Sequence, residues 1–355
     1  MKEALSGISI EPFRGDLEAL EEMAHSSWRD EYGVLSFPNF YRPAFLKYLC
    51  GRLEHKDHLI AAYRGAEIVS FLANVPHTFD FRGRTCRGTL SCLLVTRKEW
   101  LRRGLALAVI REALRLNQRY RHDFALATFE TGHRSTLMLR KLQSEGNRLE
   151  RMKKLHVIAR VLDLGRAASS EGLKRWEKAA IRLIGGNRRI RGGETSFVRE
   201  YRPDDLDSCL SLINSYRERI ELARLWQRDE LAWELAYPGV SQTLVYEKNG
   251  RVEGLLNFIT HEHLGRTTER WAWMNHVAYF NLSPQGRASF VRAFLRYVKE
   301  KDCLGAVEWT KKYYPQGAFY RAHFFPYFRA VNMYSWTFSP EITLAGVRSS
   351  NEILV

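Results

Sequence analysis

Residues 92–110 read CLLVTRKEWLRRGLALAVI, and this stretch decides the fold. Residues 91–96 are apolar enough for a buried strand, and a turn rich in arginine and lysine follows them. Over residues 104–119 apolar side chains recur at helical spacing, with Leu107, Ile110 and Leu114 on one side. The stretch therefore predicts a strand, a cationic turn and an amphipathic helix in direct succession.

The cationic turn has the features of an anion-binding site. The first amides of a helix have no partner within the helix, and the helix dipole makes that end positive. Gly104 and Ala106 are small enough to let phosphate oxygens approach these amides, while Arg102 and Arg103 add positive charge. We expect a phosphate group of a ligand to bind here.

The segments around this turn predict a mixed α/β sheet. Residues 58–72 read as two strands about a tight turn at Gly65, and residues 124–129 read as a buried strand. A short helix over 135–142 and a closing strand over 155–162 complete the unit. This order does not fit a doubly wound parallel sheet.

The same order of elements recurs in the second half of the chain. The hairpin turns at Gly65 and Gly250 lie about 185 residues apart, which indicates duplication of a whole domain. We therefore predict two tandem domains, residues 1–163 and 196–355. The corresponding second turn contains Pro284, which lacks an amide donor, and Arg287 is its only basic residue. The anion site is accordingly assigned to the first domain.

Residues 164–195 are predicted to be a basic linker that contains one amphipathic helix. The apolar side of that helix carries Leu173, Trp176, Ala180 and Ile184, and the opposite side carries Lys174, Lys178 and Arg182. Apolar helix faces usually exist to be buried, so we expect this one to dock across the seam between the domains. The alternative is a helix that lies on an anionic membrane surface.

The strand, cationic turn and Gly-x-Ala helix start resemble the signature of the GCN5-related N-acetyltransferase (GNAT) superfamily. That signature reads Gln/Arg-x-x-Gly-x-Gly/Ala, and its last two defined positions are Gly104 and Ala106 here. Its first defined position is Leu101, a departure that leaves Arg102 or Arg103 to supply the charge. Within the superfamily, the tandem arrangement resembles the N-myristoyltransferase family.

The resemblance implies transfer of an acyl group from acyl-CoA or acetyl-CoA, as a cosubstrate, to an amine. It places the pantetheine arm beside Val95 and Thr96, and it places the oxyanion donors at Leu93 and Leu94. Backbone amides of a splayed strand can polarise a thioester carbonyl without a metal ion. It places the pyrophosphate on the turn residues Leu101, Arg102, Arg103, Gly104, Leu105 and Ala106.

The base that removes the amine proton is harder to assign from sequence. Glu130 follows the central strand, beside His133, and could accept a proton, although a carboxylate there is more often a helix cap or an ion-pair partner. Asp80 and Glu308 are further strand-associated carboxylates. The family resemblance offers another candidate, the C-terminal carboxylate of Val355 at the end of an apolar tail.

Composition narrows the class of protein. The chain has 355 residues and a net charge of +15, so its field attracts anionic partners. Five scattered cysteines without a CxxC pair suggest neither a disulfide framework nor a zinc site. The sequence shows neither an apolar stretch long enough to span a membrane nor a secretion signal, so we expect a cytoplasmic protein. His261 and His263 alternate on one strand, and we interpret them as surface residues rather than metal ligands.

Two other functions remain open at this point. An aminoacyl-tRNA-dependent transferase of the same tandem architecture would use the positive charge to bind RNA. A non-catalytic basic adaptor for lipid or nucleic acid would keep the fold with its cofactor cleft closed. Under the enzymatic interpretation the acceptor is an amine-bearing small molecule, peptide or lipid, and aromatic residues of the second domain could line its groove.

Overall fold

A computed structural model describes residues 5–33, 36–132, 136–192 and 196–351. Within these ranges the chain forms a mixed α/β structure with a single large sheet. The predicted Val355 and His133 lie outside the described residues. None of the helices in the described ranges combines the length and the apolar character needed to cross a bilayer.

Fourteen strands of the described chain belong to the sheet. The strands of the first half are β1 (Ile8–Pro12), β2 (Phe37–Pro38), β3 (Leu59–Arg64), β4 (Glu67–Phe81), β5 (Arg84–Thr96), β6 (Phe124–Glu130) and β7 (Leu149–Val161). Those of the second half are β8 (Val198–Glu200), β9 (Leu222–Leu225), β10 (Ser241–Lys248), β11 (Arg251–Leu264), β12 (Thr268–Ala278), β13 (Gly305–Trp309) and β14 (Phe325–Thr337). The order across the sheet is β1-β3-β4-β5-β6-β14-β7-β13-β12-β11-β10-β8, with β2 beside β11 and β9 beside β4.

Ten α-helices cover this sheet within the described ranges. They are α1 (Leu17–Tyr32), α2 (Pro43–Cys50), α3 (Leu105–Arg119), α4 (Thr136–Ser144), α5 (Leu164–Glu171), α6 (Arg175–Leu183), α7 (Leu206–Asn214), α8 (Arg228–Leu235), α9 (Pro284–Glu300) and α10 (Gly317–Arg321). The predicted mixed α/β fold with a repeated order of elements is confirmed.

Local chemistry explains where key elements begin and turn. The carboxylate of Asp16 caps α1 by accepting a hydrogen bond from the amide of Ala19 at 2.9 Å. Asn249 and Gly250 both adopt positive φ, 51° and 71°, as a tight two-residue hairpin turn requires. They join β10 to β11, as the sequence predicted.

The cores lie where the amphipathic helices cover the sheet. Leu107, Ile110 and Leu114 of α3 are buried together with Ile60 and Leu72 of the first-half strands. In the second half, α9 buries its apolar face against β11 and β12 in the largest apolar cluster of the described chain. The predicted apolar face of α3 is therefore confirmed, because the residues at helical spacing are the ones that are buried.

The two halves exchange their last strands. β14, the final strand of the second half, lies between β6 and β7, with Val331 opposite Glu130 and Thr337 opposite Phe124. β7, the closing strand of the first half, pairs with β13, with Val161 opposite Gly305. The sheet is therefore continuous across the predicted boundary at residue 163.

A second strand pairing joins the two halves, because β9 of the second half lies beside β4 of the first half. β9 pairs with the outer part of β4, with Leu225 opposite Thr78 and Leu222 opposite Phe81. Ser350 forms a bridge to Leu222, which brings the C-terminal segment to the same edge. Residues far apart in sequence thus meet beside β4.

Two expectations about particular side chains are wrong. The apolar side of α6 is not docked across a seam, because Trp176 is 60% exposed and Leu183 is 86% exposed. His261 and His263 are buried rather than on the surface, and His261 packs edge-on against Phe40. The sequence could not show that α2 and β2 cover the strand that carries these histidines.

Candidate active site

The site begins where two parallel strands separate. β5 and β6 pair in parallel from Gly88 opposite Phe124 to Ser91 opposite Ala127. Beyond this last pair, β6 continues beside β14 while β5 continues beside β4. The edge of β5 that faces β6 therefore borders a cleft from Cys92 onward.

A β-bulge distorts β5 at the mouth of this cleft. Ala73 lies opposite Cys92 and Phe71 opposite Val95, so Leu93 and Leu94 together face Leu72. Leu93 adopts φ 57°, a left-handed conformation that costs about 1 kcal/mol for a residue other than glycine. Bulges re-aim backbone groups beside active sites. The two residues predicted to supply oxyanion donors thus lie at the most distorted point of the strand.

The cleft has a volume of about 260 Å³ and is largely apolar. Its walls come from β4, β5, β6, β14 and α3, and from the segment of α1 and the following loop that closes over it. The residues that line it are Trp28, Glu31, Phe40, Tyr41, Leu72, Ser91, Cys92, Leu93, Leu94, Ile110, Ala113, Leu114, Ala127, Thr128, Phe129, Glu130 and Trp336. A flexible apolar chain fits such a surface better than a charged group does.

The N-terminus of α3 lies one cationic turn after β5. Gly104 is the N-cap, with φ 86°, a left-handed conformation that favours glycine. No side chain caps this helix, so its first amides are left to a ligand or to solvent. Leu105 is fully buried and anchors the helix, and the following small residue Ala106 is half-buried. This arrangement fits the predicted anion site.

The turn itself departs from the expectation in one respect. The amide of Leu101 donates to the carbonyl of Lys98 at 3.1 Å, and the amide of Arg103 donates to Trp100 at 3.4 Å. These two amides are therefore engaged within the turn, and Leu101 is 52% exposed. The amides of Arg102 and Gly104 have no acceptor among the described residues. Anion contacts from the backbone must come chiefly from Gly104 onward.

Charge at the turn comes from two exposed arginines. Arg102 adopts φ 64°, and the guanidinium of Arg103 lies 5.2 Å from the ring centroid of Trp100. In the described parts of the chain neither arginine forms an ion pair. Both remain available to a phosphate, which arginine binds through paired N–H donors.

In the second half, protein groups already occupy the N-terminus of α9 and the opening between β12 and β13. The hydroxyl of Ser283 caps α9 by accepting from the amide of Gly286 at 3.1 Å, and Arg287 donates to the carbonyl of Phe280 at 2.6 Å. Past the point where β12 and β13 separate, the buried ammonium of Lys311 donates to the carbonyls of Met274 and Asn275. These contacts occupy the groups that would otherwise face a ligand, which favours a site in the first half.

The candidate bases differ in position. Glu130 ends β6, is half-buried and lines the cleft. Asp80 instead accepts from the amide of Gly83 in the β4–β5 turn at 2.9 Å, and Glu308 is fully buried beside Lys311. Of these three carboxylates, the cleft includes only Glu130.

The C-terminal segment runs into the protein interior. Ser350 and Asn351 are buried, and the side chain of Asn351 accepts a hydrogen bond from the amide of Arg224 at 2.6 Å. The four residues that follow lie outside the described ranges. An extended segment of that length spans at most about 14 Å. The predicted role of Val355 stays a prediction.

A buried charge network that the sequence pattern did not indicate lies beside the cleft. The guanidinium of Arg224 contacts Glu230 at 2.5 Å and also binds Glu234. Glu234 accepts further hydrogen bonds from Trp226 at 3.0 Å and His276 at 2.7 Å. The residues of this network come from β9, α8 and β12 and the segment between β9 and α8. The only sequence signal was the pair of glutamates four residues apart on α8, which also describes many surface helices.

Electrostatics keep this network charged. Burial raises the pKa of Glu230, but the positive charge of Arg224 and a hydrogen bond from His77 outweigh it and hold the pKa at about 2. Glu234 is affected in the same direction, because Arg224 and His276 outweigh its burial and lower its pKa. Burial lowers the pKa of His276 despite its contact with Glu234. Glu230 and Glu234 are therefore ionised at neutral pH.

The network borders a second cavity that adjoins the cleft. This cavity is small, about 50 Å³, and is lined by Arg224, Glu234 and His77 among aromatic residues. Phe40 and Cys92 line both spaces, so the cavity and the cleft are neighbours on either side of the opened strands. One ionised carboxylate of the network, Glu234, thus lines this cavity together with its partner Arg224.

Comparisons with known proteins agree with the architecture. No protein-family model matches the sequence, and no curated protein does. A crystal structure of Saccharomyces cerevisiae N-myristoyltransferase with bound myristoyl-CoA superposes with a TM-score of 0.77 at 16% sequence identity. The superposition covers 94% of this chain and 83% of that chain.

A second similar structure is a GCN5-related N-acetyltransferase from Kribbella flavida. Its TM-score is 0.51 at 12% identity, and the match covers 92% of this chain and 70% of that chain. Both likenesses concern the fold, because the identities are low. The chain therefore has the GNAT fold in the tandem arrangement of N-myristoyltransferase.

Proposed function

We propose that this protein is an acyl-CoA-dependent N-acyltransferase that acts through the first-half cleft. The observation that carries the proposal is the opening between β5 and β6, with the uncapped N-terminus of α3 one turn away. A CoA thioester needs an opening for its acyl part and an anion site for its pyrophosphate, one turn of chain apart. The S. cerevisiae N-myristoyltransferase neighbour was solved with myristoyl-CoA, which supports this substrate class.

In this proposal each part of the substrate meets a different element. The pyrophosphate binds the amides of Gly104, Leu105 and Ala106, with Arg102 and Arg103 beside it. The pantetheine arm follows Val95 and Thr96, and the acyl chain enters the apolar cleft. Followed backward from Ala106 to Val95, these binding residues come in the same order as the substrate's parts, from pyrophosphate toward acyl group.

The reaction is direct aminolysis of the thioester. The amine nitrogen attacks the carbonyl carbon, a C–N bond forms, and the C–S bond breaks to release CoA as a thiolate. Backbone amides at Leu93 and Leu94 stabilise the negative charge that develops on the carbonyl oxygen. Glu130 accepts the proton that the amine loses, and the thiolate gains a proton from solvent.

The acceptor enters from the side of the buried network. Glu234, which lines the small cavity with Phe40 and Cys92, attracts an ammonium group toward it. This assigns the acceptor to an amine of a small molecule, peptide or lipid. The apolar walls favour a transferred group longer than acetyl, and the comparison of acetyl-CoA with myristoyl-CoA tests this point.

A binding experiment tests the proposal directly. Calorimetric titration of the full chain with CoA, acetyl-CoA and myristoyl-CoA is expected to show saturable binding. Gly104→Glu should abolish it, because the new carboxylate repels phosphate and the residue is strained at φ 86°. Gly286→Glu is the matched control at the second-half helix, where a Cβ meets only ordinary contacts. Absence of binding by the wild type, or equal loss in both variants, contradicts the proposal.

The two alternatives have separate signatures. An aminoacyl-tRNA-dependent transferase would bind tRNA with steep salt dependence and would show no affinity for CoA. A non-catalytic adaptor would bind lipid or nucleic acid without releasing CoA thiol in the presence of any amine. The open cleft of about 260 Å³ favours the enzymatic proposal over the adaptor.

A further inference from the structure

A further cavity shares no lining residue with the cleft or with the small cavity beside Arg224. Its volume is about 440 Å³, and it opens between the end of β7, the segment after α6, and the helices α9 and α10. The residues that line it are Arg160, Arg188, Arg189, Ile190, Arg191, Arg292, Leu295, Arg321, Ala322 and His323. Six of these ten residues are arginines, and none is acidic.

Among the described residues, no carboxylate balances the arginines of this cavity, since none of the six forms an ion pair there. Arg160 is 1% exposed, and its guanidinium donates to the carbonyls of Gly185 and Arg188, while its Nε has no partner. Burial lowers its pKa to about 10, so the group is still cationic at neutral pH. A buried, uncompensated cation is costly, and an anion with several oxygens would offset that cost.

The exposed helix α6 adjoins this cavity. Trp176 and Leu183 point away from the body of the protein, and Ile184 at the end of the helix is 50% exposed. Ile181, on the inner side, packs at Gly186 beside Phe325. At helical spacing Arg175 and Arg182 lie along one edge of the exposed stripe, whereas Lys174 and Lys178 lie on the opposite side of the helix. An outward apolar stripe bordered by basic residues is the pattern of a helix that lies in a membrane interface.

The helix and the cavity form one continuous surface. Gly185 directly follows the exposed Ile184, and its carbonyl accepts a hydrogen bond from Arg160 at 2.7 Å. A Cβ placed on Gly185 would contact both Arg188 and His323, which line the cavity. The exposed apolar stripe therefore ends at the mouth of the arginine-lined space.

We propose that this surface docks the protein on an anionic phospholipid bilayer. Headgroup phosphates enter the cavity formed by Arg160, Arg292 and their neighbours, and the stripe of Trp176 and Leu183 inserts among the headgroups. The proposal is independent of the proposed acyl transfer, because the surface shares no residue with the cleft.

Charge and apolar exposure together select this occupant. A second copy of the chain carries the same net charge of +15, so two such basic surfaces repel each other. A nucleic acid would satisfy the arginines but would leave Trp176 and Leu183 exposed to water. A bilayer with anionic headgroups satisfies both parts of the surface.

Vesicle cosedimentation of the full chain tests the proposal. The protein should pellet with vesicles of phosphatidylcholine mixed with phosphatidylglycerol, and should stay in solution with phosphatidylcholine alone. Trp176→Ser combined with Leu183→Ser should weaken binding by about tenfold or more. The matched control is Leu137→Ser, which removes another exposed leucine, on α4. Arg292→Glu with Arg321→Glu should also abolish binding, whereas Arg251→Glu, at the exposed start of β11, should reduce it much less.

The outcomes distinguish the sources of the anion. Equal binding to both vesicle types, or no effect of the α6 variants, overturns the bilayer proposal. Calorimetry with inositol hexakisphosphate then checks for a soluble polyanion. Tight binding of that probe by the α6 variants, without vesicle binding by the wild type, assigns the cavity to a free ligand instead. Thermal unfolding of every variant shows whether a loss of binding reflects a loss of fold.

Discussion

Ser91 and Ala127 are the last residues at which β5 and β6 pair, and the cleft begins at this pair. A parallel sheet would normally continue past this point. Here the bulge at Leu93 turns β5 aside, while β14 keeps β6 in the sheet along its other edge. β5 and β6 therefore form two separate walls of the opening, and each wall can be tested.

Enlarging the side chain at the opening should impair substrate binding. Ala127→Leu places a larger apolar group where the strands part, so the KM for long-chain acyl-CoA should rise about tenfold or more, with a smaller change for acetyl-CoA. Ala66→Leu, in an exposed turn, is the matched control. Steady-state kinetics with both substrates measure the effect, and equal KM changes for the two substrates would contradict a chain-binding role for this wall.

The two candidate bases can be separated by their own variants. Glu130→Gln should lower kcat by about 10²- to 10⁴-fold with little change in acyl-CoA affinity, if Glu130 takes the proton. Removing residues 352–355 should have that effect instead if the C-terminal carboxylate is the base. Glu67→Gln, an exposed carboxylate on β4, serves as the control. Full turnover by both the glutamine variant and the truncated chain would exclude both candidates.

The network around Arg224 should be sensitive to acid and to truncation of either partner. Replacing Glu234 by Gln leaves a buried guanidinium partly unpaired, which should cost about 3–5 kcal/mol of unfolding free energy. In the wild type, the pKa of Glu230 is lowered from 4.5 to about 2 by Arg224 and His77, against the effect of burial. Its stabilising contribution is complete above pH 4.5 and is lost as the pH falls toward 2. Urea unfolding across this range measures both effects, and no change in Glu234→Gln would contradict the described contacts.

His122 should destabilise the protein under mildly acidic conditions. Burial, aided by the nearby His58 and Arg87, lowers the pKa of His122 from 6.5 to about 4, and neither ring nitrogen has a hydrogen-bond partner among the described atoms. Below pH 6.5 His122 binds a proton in the unfolded chain but stays neutral in the folded chain. The free energy of unfolding therefore falls as the pH is lowered to about 4. His122→Phe should therefore be at least as stable at pH 7 and less sensitive to acid. Unfolding free energies at pH 7 and pH 5 test this, and an unchanged pH dependence would count against it.

The halves should not fold independently. Residues 1–163 lack β14, so β6 would present a bare edge, and residues 196–355 lack β7, which pairs with β13. We expect each fragment alone to aggregate and the two together to form a soluble complex. Size-exclusion chromatography after separate and joint expression provides the measurement. Two separately soluble, cooperatively unfolding fragments would instead support autonomous domains.

The sequence predicted local structure well where one chemical signal dominates. The turn at Asn249 and Gly250 and the helix after Gly104 follow from backbone preferences and apolar spacing, and both are confirmed. The adjacency of β14 to β6 could not be predicted, because strand patterning does not identify a strand's partner. The same limit hid the contact of Arg224 with Glu234, because sequence patterning does not show how β9 and α8 pack together. For α6 the apolar spacing correctly predicted a helix, but the prediction that its apolar side is buried was wrong. Amphipathic spacing does not specify what, if anything, covers the apolar side of a helix.

The exchange of final strands also constrains how this protein can evolve. Deleting either half would remove a strand from the half that remains, so neither half can be lost without damage to the sheet. The second half is then needed for the strand it donates, whether or not it binds a cofactor. Lys311 can therefore occupy the second opening without endangering the architecture. Loss of cofactor binding in one half is thus compatible with an intact sheet.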